Sequence, residues 1–109
     1  MYSQLLAALR AEGMPPCAEY AWDRAPQTGN YMTVGLDGQQ TALWGDDGLL
    51  QQAPEGSVHL FCRTNDRSDM LKVQTVLNQS GAAWRLEMVD YEKSTRLLHY
   101  QWVFSFTAL

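Results

Sequence analysis

Apolar and polar positions alternate most cleanly over residues 83–106. Tyr100, Trp102, Phe104 and Phe106 interleave with His99, Gln101, Val103 and Ser105. A strand sends successive side chains to opposite faces, so this run sets four aromatic residues on one face. Just before it, Trp84, Leu86 and Met88 alternate with Arg85 and Glu87. The polar stretch Lys93-Ser94-Thr95-Arg96 joins the two runs, and together they predict a hairpin. Matching the apolar faces sets Met88 opposite Trp102, Leu86 opposite Phe104 and Trp84 opposite Phe106. A slip of one residue would put Glu87 against Trp102, which a buried face does not tolerate. Tyr91 has the other parity; it either joins Val89 on the outer face or marks a bulge.

Residues 2–12 predict a short helix, with Leu5, Leu6 and Leu9 in one stripe and Gly13 at its C-terminal cap. Pro15-Pro16 then forces an extended chain, and residues 17–22 form a candidate strand or edge segment. Residues 24–30 form a loop. Residues 31–36 predict a strand that Asp37-Gly38 ends with a turn signal, and residues 39–44 a further candidate strand. Residues 57–64 predict a central strand, because Val58, Leu60 and Cys62 face one way while His59 and Phe61 face the other. Residues 66–80 predict the second helix. Asp66 or Ser68 can accept from its first amides, Met70, Val73 and Leu77 form its apolar stripe, and Gly81 ends it.

This order, α-β-β-(β)-β-α-β-β, predicts one α+β domain over residues 1–109. It has an antiparallel or mixed sheet and two helices packed on one face. With 46% hydrophobic residues in 109, the chain can bury a core of its own. A net charge of -4, with the eight basic residues scattered, argues against specific nucleic-acid binding. No apolar run is long enough to span a membrane, and Met1-Tyr2-Ser3-Gln4 does not open a signal peptide. Cys17 and Cys62 form no CxxC and indicate no disulfide, and the reducing cytoplasm is the default compartment.

Candidate chemistry is sparse. The sequence holds no P-loop, GxGxxG, HExxH or GxSxG motif. Asp46 and Asp47 form an acidic pair between Gly45 and Gly48, but Leu49 and Leu50 stand where a calcium loop needs oxygen ligands, so a turn is expected. His59 and His99 both fall in strands without an obvious third ligand, which argues against zinc. Cys62 shares a face with Val58 and Leu60, so a buried inert thiol is expected. Asp90, Glu92 and His99 beside the hairpin turn offer acid–base groups, although charges there are ordinarily solvated. The reading is a protein that binds rather than catalyses, with no metal or cofactor.

The order of features resembles the tail-completion or tail-terminator proteins of long-tailed bacteriophages and prophages. The resemblance spans roughly the whole chain. An N-terminal helix is followed by Tyr31-Met32-Thr33-Val34 and by a loop with an acidic pair, Thr41-Ala42-Leu43-Trp44-Gly45-Asp46-Asp47. Then come a Val-x-Leu-Phe-x-Arg strand from Val58 to Arg63, a helix, a Tyr91-Glu92…Thr95 turn and the aromatic strand from His99. The turn over residues 35–40 is tighter than the usual pattern. The resemblance implies a ring, commonly a hexamer, that caps the tail tube and meets the head–neck proteins. The expected partners are therefore further copies of the chain, the tail tube protein and the neck. The expected locations are the virion and, during assembly, the host cytoplasm. A head–tail joining protein of the same particle is the alternative. A small-molecule-binding or enzymatic α+β domain is the third reading.

Residues 37–55 carry four large apolar residues, Leu43, Trp44, Leu49 and Leu50, in a glycine-punctuated segment. Such residues on a projecting segment suit an interface, where Trp is a frequent anchor. The expected contact is thus Leu43, Trp44, Asp46, Asp47, Leu49 and Leu50, on either a mobile arm or a hairpin packed on its own sheet.

Overall fold

A computed structural model describes residues 2–45 and 48–106, with the backbone alone over residues 38–45 and 48–53. The elements are α1 (Tyr2–Leu9), β1 (Cys17–Glu19), β2 (Tyr31–Gly45), β3 (Gly48–Cys62), α2 (Ser68–Gln79), β4 (Ala83–Glu92) and β5 (Leu97–Ser105). The strands form one mixed sheet in the order β1-β2-β3-β5-β4; β1 runs parallel to β2 and every other pair is antiparallel. The fold is α+β, in the element order that the hydrophobic pattern predicts.

Local chemistry explains the helix ends. Helix α1 is shorter than its stripe suggests, because residues 10–14 tighten into turns such as Ala11 N–H to Ala8 O. Gly13 then adopts φ 89°, a region that costs glycine little. At the start of α2 the Asp66 carboxylate accepts the Ser68 amide at 3.0 Å. Such a bond satisfies one of the amides that a helix leaves free.

One alternating set of sheet residues makes the core. Met32, Val34, Val58, Leu60, Cys62, Tyr100, Trp102 and Phe104 form a single cluster with Leu5, Leu9, Val73 and Leu77 of the two helices. Trp102 is fully buried, and its indole N–H donates to Gln74 Oε1 at 3.2 Å, so the ring is buried without an orphaned donor. Phe104 lies in register with Gly56. A Cβ at Gly56 would collide with the Gly35 carbonyl and come within 2.9 Å of the Phe104 ring, so glycine is what lets β2, β3 and this ring approach.

The closing hairpin departs from its predicted register. Its turn is residues 93–96 as expected, closed by Arg96 N–H to Glu92 O at 2.7 Å. Leu86, however, pairs with Trp102 and Trp84 with Phe104, two residues away from the expected pairing. A bulge then intervenes between Leu86 and Met88, so Met88 pairs with Gln101 and Val89 with Tyr100. A slip of two keeps every side chain on its face, which is why parity does not detect it. The bulge moves Met88 to the opposite face and brings Val89 and Tyr91 round to the face of Leu86. Neither Met88 nor Leu86 is buried: Met88 is half-buried and Leu86 is exposed.

The second departure is at residues 37–56. Asp37-Gly38 is not a turn. Leu36 pairs with Gly56 and Gly38 with Glu55, so Asp37 sits at a bulge and β2 continues to Gly45. Strand β3 likewise begins at Gly48.

Candidate functional site

Two features stand outside the core: the far half of the β2–β3 hairpin and the second face of the sheet. Strands β2 and β3 pair with each other from Tyr31–Phe61 to Gly45–Gly48. Strand β3 pairs with β5 only over Glu55 to Cys62. Phe106 N–H still bonds Pro54 O at 2.9 Å, and beyond Pro54 the hairpin continues, among the described residues, as a two-stranded arm. Of the predicted contact residues, Leu43 pairs with Gln51 and Trp44 with Leu49, and Leu50 follows in β3. Asp46 and Asp47 lie outside the described residues. The segment is thus a hairpin in its backbone pairing, and its glycines flank the tip.

The second face carries the side chains that alternate with the core set. Tyr31, Phe61, His99 and His59 form a row across β2, β3 and β5. Ring centroids are 4.9 Å apart for Tyr31–Phe61, 4.4 Å for Phe61–His99 and 5.0 Å for His59–His99. Trp22 meets Tyr31 edge-on and donates its indole N–H to the Met32 carbonyl at 2.9 Å. The rings of Tyr31, Phe61 and His99 lie nearly parallel and pack against one another across the strands. Their faces are spent on each other, so the row is a poor platform for a flat ligand.

A polar row runs beside it. His59 Nδ1 is 2.8 Å from His99 Nε2. His59 Nε2 is 3.4 Å from Ser57 Oγ, which donates to Asp37 Oδ2 at 3.1 Å. At the other end His99 Nδ1 is 3.6 Å from Glu92 Oε2. Asp37, Ser57, His59, His99 and Glu92 thus form a line across the sheet with a carboxylate at each end. The bulge at Asp37 aims its carboxylate at this face. Both histidines have lowered pKa values. Burial is the main cause for each; His99 lowers His59 further while Asp37 opposes, and Glu92 and Asp90 oppose the shift of His99.

The bonding pattern follows from these distances. Two imidazoles 2.8 Å apart share a single N–H. With His99 Nδ1–H turned to Glu92, His99 Nε2 accepts from His59 Nδ1–H. A proton on His59 Nε2 is then donated to Ser57 Oγ, whose O–H remains on Asp37. A second proton would set two donors against each other. The pair therefore has room for one added proton, on the His59 edge that faces Ser57, and not for a second on the shared edge. Ser57 itself is buried.

Strand alternation sets each histidine on the face opposite Val58, Leu60 and Cys62 or opposite Tyr100, Trp102 and Phe104, but it does not bring the two together. Their contact depends on the β3–β5 register, in which Phe61 pairs with His99. The remaining candidates separate. Cys62 lies in the core, and burial pushes its thiol up to about 11; Cys17 is half-buried and likewise pushed up to about 11. Among the described residues, no group of three His, Cys, Asp or Glu side chains is placed to hold a metal ion. Among them too, no helix is long and apolar enough to cross a membrane. No protein-family model and no curated protein sequence matches the chain.

Proposed function

We propose that the chain is a structural subunit that completes the tail of a long-tailed bacteriophage or prophage, acting as an oligomeric ring at the head-proximal end of the tail tube. The mechanism is binding rather than bond chemistry. The observation that supports it most is the two-stranded arm. Each strand of the hairpin has fifteen residues, and its far part runs on beyond the pairing of β3 with β5. A hairpin past the edge of its own sheet can add its strands or side chains to a neighbour, and a head-to-tail contact of this kind closes a ring. Leu43, Trp44, Leu49 and Leu50 supply apolar residues to that arm, and the sequence carries the acidic pair Asp46-Asp47 between Gly45 and Gly48. A joining position in the neck of the same particle would use the same arm.

The test is deletion of residues 46–51 together with mixing experiments on tail tubes. The intact protein should form closed rings, or cap tubes of uniform length, in electron micrographs. The deletion variant should keep its circular dichroism spectrum and lose the rings and caps. Tubes of unlimited length with the intact protein present would overturn the reading.

The polar row favours one other reading, an acid–base site that uses Ser57, His59, His99 and Glu92. It is weaker because the Ser57 hydroxyl is committed to Asp37 and is shielded from solvent.

A further inference from the structure

Among the described residues, β4 is an edge strand of ten residues, bonded to β5 on one side. Proteins blunt such edges with charges and bulges, because free backbone groups and apolar side chains invite another strand. Here Leu86, Val89 and Tyr91 are exposed, at 40%, 49% and 54%. All three lie on the core-side face, beyond the cluster that the helices cover. Arg85 and Asp90 are exposed on the other face of the same strand.

The bulge between Leu86 and Met88 changes what this strand can pair with. In a regular strand, residues separated by an odd number point to opposite faces. The extra residue restores the match between the two halves of β4. Turned antiparallel on itself about the bulge, the strand sets Leu86 opposite the second copy's Val89, and Trp84 opposite its Tyr91. On the other face it sets Arg85 opposite the second copy's Asp90. Two-fold symmetry repeats each pair, so the contact gains two apolar clusters and two opposite-charge pairs across the strands. Cross-strand pairs of both kinds are stabilising. Within one copy Arg85 holds only Glu87, at 2.9 Å on the exposed surface, and it can reach a carboxylate of the second copy by a change of rotamer.

We propose that β4 is the contact of a two-fold dimer of this chain, in which two β4 edges pair antiparallel about the bulge and join two five-stranded sheets. The occupant of the edge is a second copy, because Leu86 with Val89, Trp84 with Tyr91 and Arg85 with Asp90 complement each other in that register, with Glu87 beside Met88 at the axis. The inference does not rest on the ring reading. A two-fold contact joins two copies and stops, whereas a ring needs a head-to-tail contact. The dimer is accordingly the form of the free protein, and it keeps the edge covered before assembly.

Size-exclusion chromatography with light scattering tests this at rising protein concentration. The expected mass is twice the 12.3 kDa of the chain. Val89→Lys should give the single-chain mass. Arg85→Glu and Asp90→Arg, each alone, set like charges opposite each other and should weaken the dimer at least tenfold. The two together should restore it. All four variants are at exposed positions, and circular dichroism checks that each is folded. A single-chain mass at every concentration would overturn the proposal. So would a dimer or larger assembly that ignores all of these substitutions, or a combined variant that fails to recover. Ring closure is read separately, on tail tubes, so the ring reading and the dimer stand or fall apart from each other.

Discussion

His59 Nδ1 lies 2.8 Å from His99 Nε2, on two strands that are distant in sequence and adjacent in the sheet. Each imidazole is partly buried, and the line they form ends in Ser57 and Asp37 on one side and Glu92 on the other. At a distance that permits one shared N–H, the pair binds its first proton far more readily than its second.

Stability should therefore fall in mild acid. Both histidines have pKa values below the ordinary 6.5 in the folded chain. The unfolded chain then binds more protons between the folded values and 6.5, so this contribution is full above that window and is lost as pH falls through it. Melting temperatures measured from neutral pH down to about pH 5 should decline, and His99→Gln should flatten the decline. An unchanged pH profile in that variant would show that the pair does not titrate with folding.

Trp102→Ala should cost about 3–5 kcal/mol in a denaturant melt, since the ring is fully buried and its indole N–H is satisfied by Gln74. Met88→Ala should cost about 1 kcal/mol or less, because the bulge turns Met88 away from the core. Equal losses would return Met88 to the core and remove the bulge.

Gly56→Ala should destabilise by about 1–3 kcal/mol or prevent folding. The added methyl has no room between the Gly35 carbonyl and the Phe104 ring. Gly56→Ala combined with Phe104→Leu relieves only the ring contact, so most of the loss should remain. Full recovery would place the strain in the ring rather than in the backbone.

Cys62 should react with a thiol reagent only as fast as the chain opens, because it is buried in the core and its thiolate is disfavoured. Labelling followed by mass spectrometry, with and without denaturant, measures this. Rapid native labelling at Cys62 would contradict the packing of β3.

The sequence alone determined the element types, their order and the buried aromatic face. Strand parity and helical spacing are local, and the stripe of Val73 and Leu77 and the alternation of Leu60, Trp102 and Phe104 lead straight to the buried set. The four-residue turn between β4 and β5 was legible for the same reason. Register was not, because a shift of two leaves every face unchanged. The bulge at Asp37 was hidden too, whereas the odd parity of Tyr91 leaves a bulge in β4 as one of two alternatives. Asp37-Gly38 has the chemistry of a turn, and only the continued pairing of β2 with β3 makes it a bulge. The histidine row and the self-complementary edge of β4 depend on these two facts. They are properties of which strands lie side by side and in what register, and that is decided by how the whole sheet packs its core face.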